Sequence, residues 1–233
     1  GELFDCAWMR MTAPEPHDST LDRLVARIDV NGEACVYLNG GSPYCGLTCK
    51  ASVFDRSLGE PKKDIVRDLR PFIEDGMIMM WLDCGCNDLF GNLQNEGRLR
   101  AAELAIANPE VIALSYDIEV LISLAEVLPE RSAQHHAILH ALHRANLLLG
   151  VIDDDSARAA REVLRPELER DGGEKALRVT AAGHAHIDLA WLWPLRETRR
   201  KAVRTVATAM RNFERFPDYR FVASQPQFYH WLK

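Results

Sequence analysis

The stretch Ala176-Leu-Arg-Val-Thr-Ala-Ala-Gly-His-Ala-His-Ile-Asp-Leu-Ala-Trp-Leu-Trp-Pro194 decides how this chain is read. Its first seven residues are short, apolar and partly β-branched, which predicts a buried strand over 176–182. Pro194 suits the first turn of a helix. Val203, Val206, Ala207, Met210 and Phe213 then share one face of a helix over about 195–215, and Pro217 ends it. Tyr219-Arg-Phe-Val-Ala-Ser224 reads as a second strand, and Pro226 to Lys233 as the start of another helix. Strand, helix, strand in this order is a βαβ unit, which implies a parallel sheet. One such unit cannot cover both faces of a parallel sheet, so the α/β domain is expected to continue past Lys233.

Between strand and helix lie the groups that carry chemistry. His184, His186 and Asp188 alternate, and in extended backbone they point to one side. Ligands in parallel α/β folds bind at the C-terminal ends of strands. Two imidazoles and a carboxylate suit Zn²⁺, and by spacing alone all three are ligands. Trp191 and Trp193 follow, and an aromatic face beside metal-binding groups suits a sugar ring. Arg196, Arg199, Arg200, Lys201 and Arg204 crowd the start of the helix and are expected to form its solvated face. Glu197 is expected to sit in the first turn, favoured by the dipole and paired with Lys201.

Upstream the period changes twice. Residues 20 to about 90 alternate loosely and carry frequent turn signals. Arg23 to Val30, Ala34 to Leu38, Lys63 to Val66 and Met77 to Leu82 read as strands, with hairpin turns at Asn31-Gly32 and Asn39-Gly40. This predicts a β-sandwich or jelly roll. From about 98 the period is helical: Arg98 to Ala107, stopped by Asn108-Pro109; Ser115 to Leu128; Ser132 to Leu149; and Ser156 to Arg170, with Pro166 as a kink. The fold class expected is therefore multi-domain α and β. A β-sandwich or jelly-roll-like region occupies 1–97, a helical linking region 98–174, and the incomplete start of an α/β, barrel-like catalytic domain 175–233.

Other features carry less. His136, His140 and His143 share a helical face at metal-binding spacing, but a solvated face is the commoner meaning. Cys45-x3-Cys49 with Cys84-x-Cys86 departs from the usual knuckle spacing of a four-cysteine zinc site, so the six cysteines read as reduced thiols in a cytoplasmic protein. Net charge is −6, which makes no case for nucleic acid or an acidic membrane surface. Apolar runs are short and broken by charge, and the first residues lack the pattern of a secretory signal. Oligomeric state is left open, a homo-oligomer included.

The run His184-Ala-His-Ile-Asp-Leu-Ala-Trp-Leu-Trp-Pro-Leu-Arg-Glu-Thr-Arg-Arg-Lys-Ala-Val-Arg-Thr205 closely resembles the opening of the catalytic domain of glycoside hydrolase family 38, the α-mannosidases. It is most similar to the bacterial and cytosolic branch, with H-I-D-x-A-W-L-W-P and E-T-x-x-K. Phe216 to Lys233 continues the resemblance. Weaker similarity lies in Val30-Asn-Gly-Glu-Ala-Cys-Val-Tyr-Leu-Asn-Gly40 and Leu114-Ser-Tyr-Asp117. The resemblance implies a zinc-dependent retaining α-mannosidase, one divalent metal and a mannose-containing oligosaccharide as substrate. It makes His186 and Asp188 zinc ligands and Trp191 part of the mannose subsite. His184 becomes a neighbour of the ligands rather than one of them. The nucleophile, the acid/base carboxylate and the remaining ligands are expected beyond Lys233, so the chain alone is expected to be inactive. Two other readings stay open. One is an amidohydrolase-like metal hydrolase, with His184 and His186 as the ligands. The other is a non-catalytic carbohydrate-binding or assembly module.

Overall fold

The computed structural model describes residues 2–17, 21–49, 64–91, 97–171 and 179–233. They form two compact units, one of residues 1–105 with 180–233, the other of residues 106–179. No helix among the described residues is long and apolar enough to cross a membrane.

The first unit is built on two antiparallel sheets. One runs in the order β1 (Cys6–Pro14), β7 (Met77–Gly85), β3 (Glu33–Tyr37), β4 (Pro43–Thr48), with the short β6 (Ile73–Glu74) also on β7. The other sets β2 (Leu24–Asp29) between β5 (Ile65–Arg67) and β8 (Ala101–Ile106). Period-two alternation sends Leu24, Ala26 and Ile28 from one sheet, and Ala34, Val36, Ile78, Met80 and Leu82 from the other, into one apolar core. This is a jelly-roll-like sandwich.

Local signals were partly misleading. Asn31 does take a positive φ of 54°, but Asn31-Gly32 is no hairpin turn, because the chain there leaves one sheet and enters the other. Asn39-Gly40 does join an antiparallel pair, β3 and β4. Residues 98–107, expected as helix, contain strand β8 instead. The Arg100 N–H donates to the Asp29 carbonyl at 2.7 Å, which extends the pairing beside β2. That pairing overrides the helix preference of Ala, Glu and Leu. Lys63 and the other residues of 50–63 lie outside the described residues.

The face of the larger sheet turned away from that core carries Glu33, Cys35 and Asp83. Onto it packs α4 (Leu195–Arg215), the helix of the βαβ unit. The approach is close. A side chain at Gly46 of β4 would stand 3.1 Å from Arg204 Cβ and from the Arg204 carbonyl, and the Gly46 N–H donates to Thr208 Oγ1 at 3.0 Å. The βαβ unit is completed by β9 (Gly183–His184), β10 (Phe221–Val222) and α5 (Pro226–Trp231). The two strands are parallel, as expected, but each is two residues long. The strand expected over 176–182 starts later. Val179 to Ala182 are exposed and irregular, and 176–178 lie outside the described residues.

The second unit is a three-helix cluster: α1 (Pro109–Val127), α2 (Ala133–Leu147) and α3 (Asp154–Leu168). Leu114, Leu121, Ile138, Ala141, Ala157 and Leu164 form its core. Asn108-Pro109 opens a helix rather than closing one. The Asn108 side chain accepts the Val111 N–H at 3.0 Å, and proline at N1 forfeits no helical hydrogen bond. Ser115, expected to begin a helix, thus lies inside α1. Ser132 caps α2, and Asp153 with Ser156 forms a capping box on α3, which tolerates Pro166 inside it. His136, His140 and His143 are exposed along α2.

Candidate metal centre and sugar platform

The segment from Gly183 to Pro194 leaves β9 and runs irregularly to the start of α4. It is held from below. Ile187 is buried, and its carbonyl accepts the Gln225 side-chain N–H at 2.7 Å. Trp193 is buried and donates Nε1–H to Thr198 Oγ1 at 3.0 Å, while that hydroxyl donates to the Asp188 carbonyl at 3.4 Å. Gln225 and Thr198, each at the start of a helix, thereby fix the loop's two ends.

Above these tethers the polar groups face solvent. His186 Nε2 and Asp188 Oδ1 stand 3.1 Å apart, both well exposed. The donor set suits a divalent cation: two ligands each roughly 2.0–2.2 Å from one ion at the tetrahedral angle have donor atoms about 3.3–3.6 Å apart, so this pair would have to open by only a few tenths of an ångström to share one. The observed separation serves a hydrogen bond when Nε2 carries the proton. His184 does not join them. Its Nε2 lies 3.3 Å from Ser224 Oγ, at the end of the neighbouring strand. Among the described residues no group of three or more His, Cys, Asp or Glu is gathered for a metal, so the three alternating groups do not converge as spacing alone implied. The irregular backbone after His184 explains this, since i, i+2, i+4 residues share a side only in extended chain.

Trp191 is 53% exposed. It stands edge-on to Trp193 (centroids 5.7 Å) and to Phe90 (6.1 Å), the latter carried by the loop after β7 of the jelly roll. That loop passes close beneath. Gly91 has φ +81°, and a Cβ there would stand 3.1 Å from the Leu192 carbonyl oxygen and 3.3 Å from the Trp193 ring. Both the backbone angle and the close approach call for glycine at this position.

Beneath the loop lies a buried charge network. Lys201 Nζ is 2.6 Å from Glu33 Oε2, and Arg204 Nη2 is 2.7 Å from the same oxygen and 2.6 Å from Glu197 Oε1. Arg200 reaches Glu197 Oε2 at 2.9 Å and grips Asp83 with two N–H groups, at 2.9 and 2.6 Å. Burial works against the charge on Arg204, but Glu33 and Glu197 outweigh it and raise its pKa. Burial likewise opposes the Arg200 charge, and Asp83 and Glu197 outweigh it. Of the residues expected on the solvated face of α4, Arg196 and Arg199 are exposed, whereas Lys201 and Arg204 are buried and Arg200 is half-buried against the sheet. Glu197 pairs with Arg200 and Arg204, and Lys201 reaches across to the sheet. Helix periodicity placed these residues together. It could not show that Glu33 and Asp83, 168 and 117 residues away in sequence from Lys201 and Arg200, would cover them.

Lys201, Thr198, Gln225 and Phe90 were not singled out as site residues from the sequence. The first three lay inside stretches already noted, the E-T-x-x-K pattern and the run from Phe216 to Lys233. Phe90 had no local signal.

Comparison with known proteins matches both parts of the first unit. Residues 176–233 match the family described as Glycosyl hydrolases family 38 N-terminal domain, and residues 1–112 the one described as Alpha-mannosidase, jelly roll domain. Alpha-mannosidase 2C1 of Homo sapiens is 30% identical over 246 residues, covering 100% of this chain and 22% of that protein. Its counterpart in Mus musculus is 30% identical over 216 residues, covering 87% and 20%. Alpha-mannosidase of Saccharomyces cerevisiae is 33% identical over 183 residues, covering 70% and 17%. The chain thus spans about one fifth of the length of these relatives.

Proposed function

The chain belongs to glycosyl hydrolase family 38, and we propose that it is the N-terminal portion of a zinc-dependent, retaining α-mannosidase that removes mannose from the ends of glycans. The observation that carries this reading is the pair of exposed donor atoms, His186 Nε2 and Asp188 Oδ1, 3.1 Å apart on the segment that also carries the exposed ring of Trp191.

Each residue has one task in this reading. His186 and Asp188 are two of the ligands of the metal. A divalent metal held there would supply Lewis-acid chemistry, the binding of sugar hydroxyls and the stabilisation of developing charge. Trp191 offers its face to the C–H side of the mannose ring. Thr198 and Gln225 fix the backbone at Asp188 and Ile187, so the ligands are presented in one geometry. A retaining mechanism needs a carboxylate nucleophile and a second carboxyl that acts as acid and then base. Neither role is assigned to a residue of this chain. The six free thiols support a reducing, cytoplasmic setting.

The test uses the full-length protein with 4-nitrophenyl α-mannoside. The expected results are release of nitrophenol, loss of activity on chelation and recovery with zinc. Activity that survives exhaustive chelation removes the metal from the mechanism. Absence of any α-mannoside hydrolysis by zinc-replete protein removes the activity itself.

A further inference from the structure

Lys201 touches the jelly-roll sheet, the loop after β7 and the site segment together. Its Nζ lies 2.6 Å from Glu33 Oε2 on β3, 2.9 Å from the Leu89 carbonyl, and 4.8 Å from the centroid of the Trp193 ring. Trp193 stands edge-on to Trp191, and so does Phe90, next to Leu89. An ammonium group with three donors is suited to this junction, because it can satisfy a carboxylate and a carbonyl while facing a ring. Lys201 is buried, which makes the geometry unyielding. Water has little access to substitute for a lost partner there.

We propose that Lys201 is a positioning residue for the sugar platform, and that through it and Phe90 the jelly-roll domain sets the pose of Trp191. The inference rests on the α-mannosidase reading of the site. The chain of contact is physical at every link. Glu33 fixes the Lys201 head. Lys201 holds Trp193 from below and Leu89 from the side. Leu89 is followed by Phe90, and Phe90 and Trp193 both contact Trp191 edge-on. Neither Lys201 nor Phe90 is hydrogen-bonded to His186 or Asp188, and the Thr198 hydroxyl that tethers the Asp188 carbonyl can keep that bond without Trp193, so the larger consequence falls on sugar binding rather than on metal binding. The same contacts predict that the jelly roll does not act as a detachable module, because removing it removes one wall of the platform.

The experiment compares full-length wild type, Lys201→Met, Lys201→Arg and Phe90→Ala. For each, kcat and KM for 4-nitrophenyl α-mannoside are measured per zinc-loaded folded protein, alongside zinc content. Phe90 is only partly buried, so its variant is expected to fold even where Lys201→Met does not. The expected result for Lys201→Met and Phe90→Ala is a KM increased about tenfold, with kcat and zinc content near wild type, since a displaced binding wall weakens ground-state and transition-state binding alike. Lys201→Arg, which keeps the charge but not the compact head, is expected to recover part of the KM. If Phe90→Ala and any folded Lys201 variant keep the wild-type KM, the positioning role is overturned. So is it if these variants lose zinc or kcat instead, which would make the contacts merely structural. Wild type without α-mannosidase activity would fail the functional reading rather than this inference.

Discussion

At the residue scale, His184, His186 and Asp188 look equivalent in sequence and are not equivalent in structure. His186 and Asp188 face each other, whereas His184 faces Ser224. The sequence shows the alternation but not where the backbone stops being extended, and that alone separates the third group from the other two. The zinc reading predicts that His184→Ala keeps at least most of the bound zinc in the full-length protein. Loss of zinc in His184→Ala, with retention in Asp188→Ala, would favour a site built on His184 and His186. The cysteines make a second residue-scale prediction. Burial pushes the thiols of Cys35 and Cys84 up to about 12, and that of Cys45 to about 12 with Cys35 adding to the effect. Cys6 is exposed. In native protein under mildly alkaline conditions, iodoacetamide is expected to modify Cys6 and to spare Cys35, Cys45 and Cys84 until the chain unfolds. The sign for stability follows from linkage. These folded-state values lie above the ordinary 9.0, so the thiols' contribution is complete below pH 9.0 and declines as pH rises toward about 12. Rapid modification of Cys45 in folded protein would contradict the packing of α4 on β4.

At the element scale, α4 was legible as a helix, but three of its five expected solvated cations, Arg200, Lys201 and Arg204, pack against the sheet. Its boundaries followed from Pro194, the apolar spacing and Pro217. Its orientation did not, because a row of arginines and a lysine reads as a solvated face until the opposite wall is known. Glu33 and Asp83 sit on the outer side of β3 and β7, where alternation also predicts solvent. Two polar faces that each look finished cover one another. The burial decides the magnitude. Glu33→Ala would leave Lys201 and Arg204 sharing a buried site with one carboxylate fewer, and is expected to cost about 3–5 kcal/mol of unfolding free energy. Arg161 makes contacts of similar length, to Asp117 and Glu110 at 2.7 and 2.9 Å, but is 36% exposed. Arg161→Ala is therefore expected to cost less, about 1 kcal/mol or under. Denaturant titration of both variants checks the contrast, and equal costs would contradict the buried network. The segment 98–107 failed for the opposite reason: its residues favour a helix locally, and only the edge of β2 makes them a strand.

At the scale of the whole molecule, the jelly roll and the βαβ unit share one compact unit, though a helix-rich stretch of chain separates them in sequence. The β-rich region, the helical region and the βαβ unit were each readable from their periods. That the first and third pack together was not, since no local pattern encodes the meeting of Gly46 with Arg204 or of Phe90 with Trp191. The consequence is that His186, Asp188 and Trp191 sit on a loop whose supports come from both the jelly roll and the βαβ unit. The central claim is that His186 and Asp188 hold zinc in an α-mannosidase. The most direct measurement is the zinc-to-protein ratio of full-length wild type, His186→Ala and Asp188→Ala by mass spectrometry of the metal, paired with hydrolysis of 4-nitrophenyl α-mannoside. The predicted result is one zinc per active chain in wild type, with metal and activity lost together in both variants. Full zinc occupancy and activity in Asp188→Ala would contradict it.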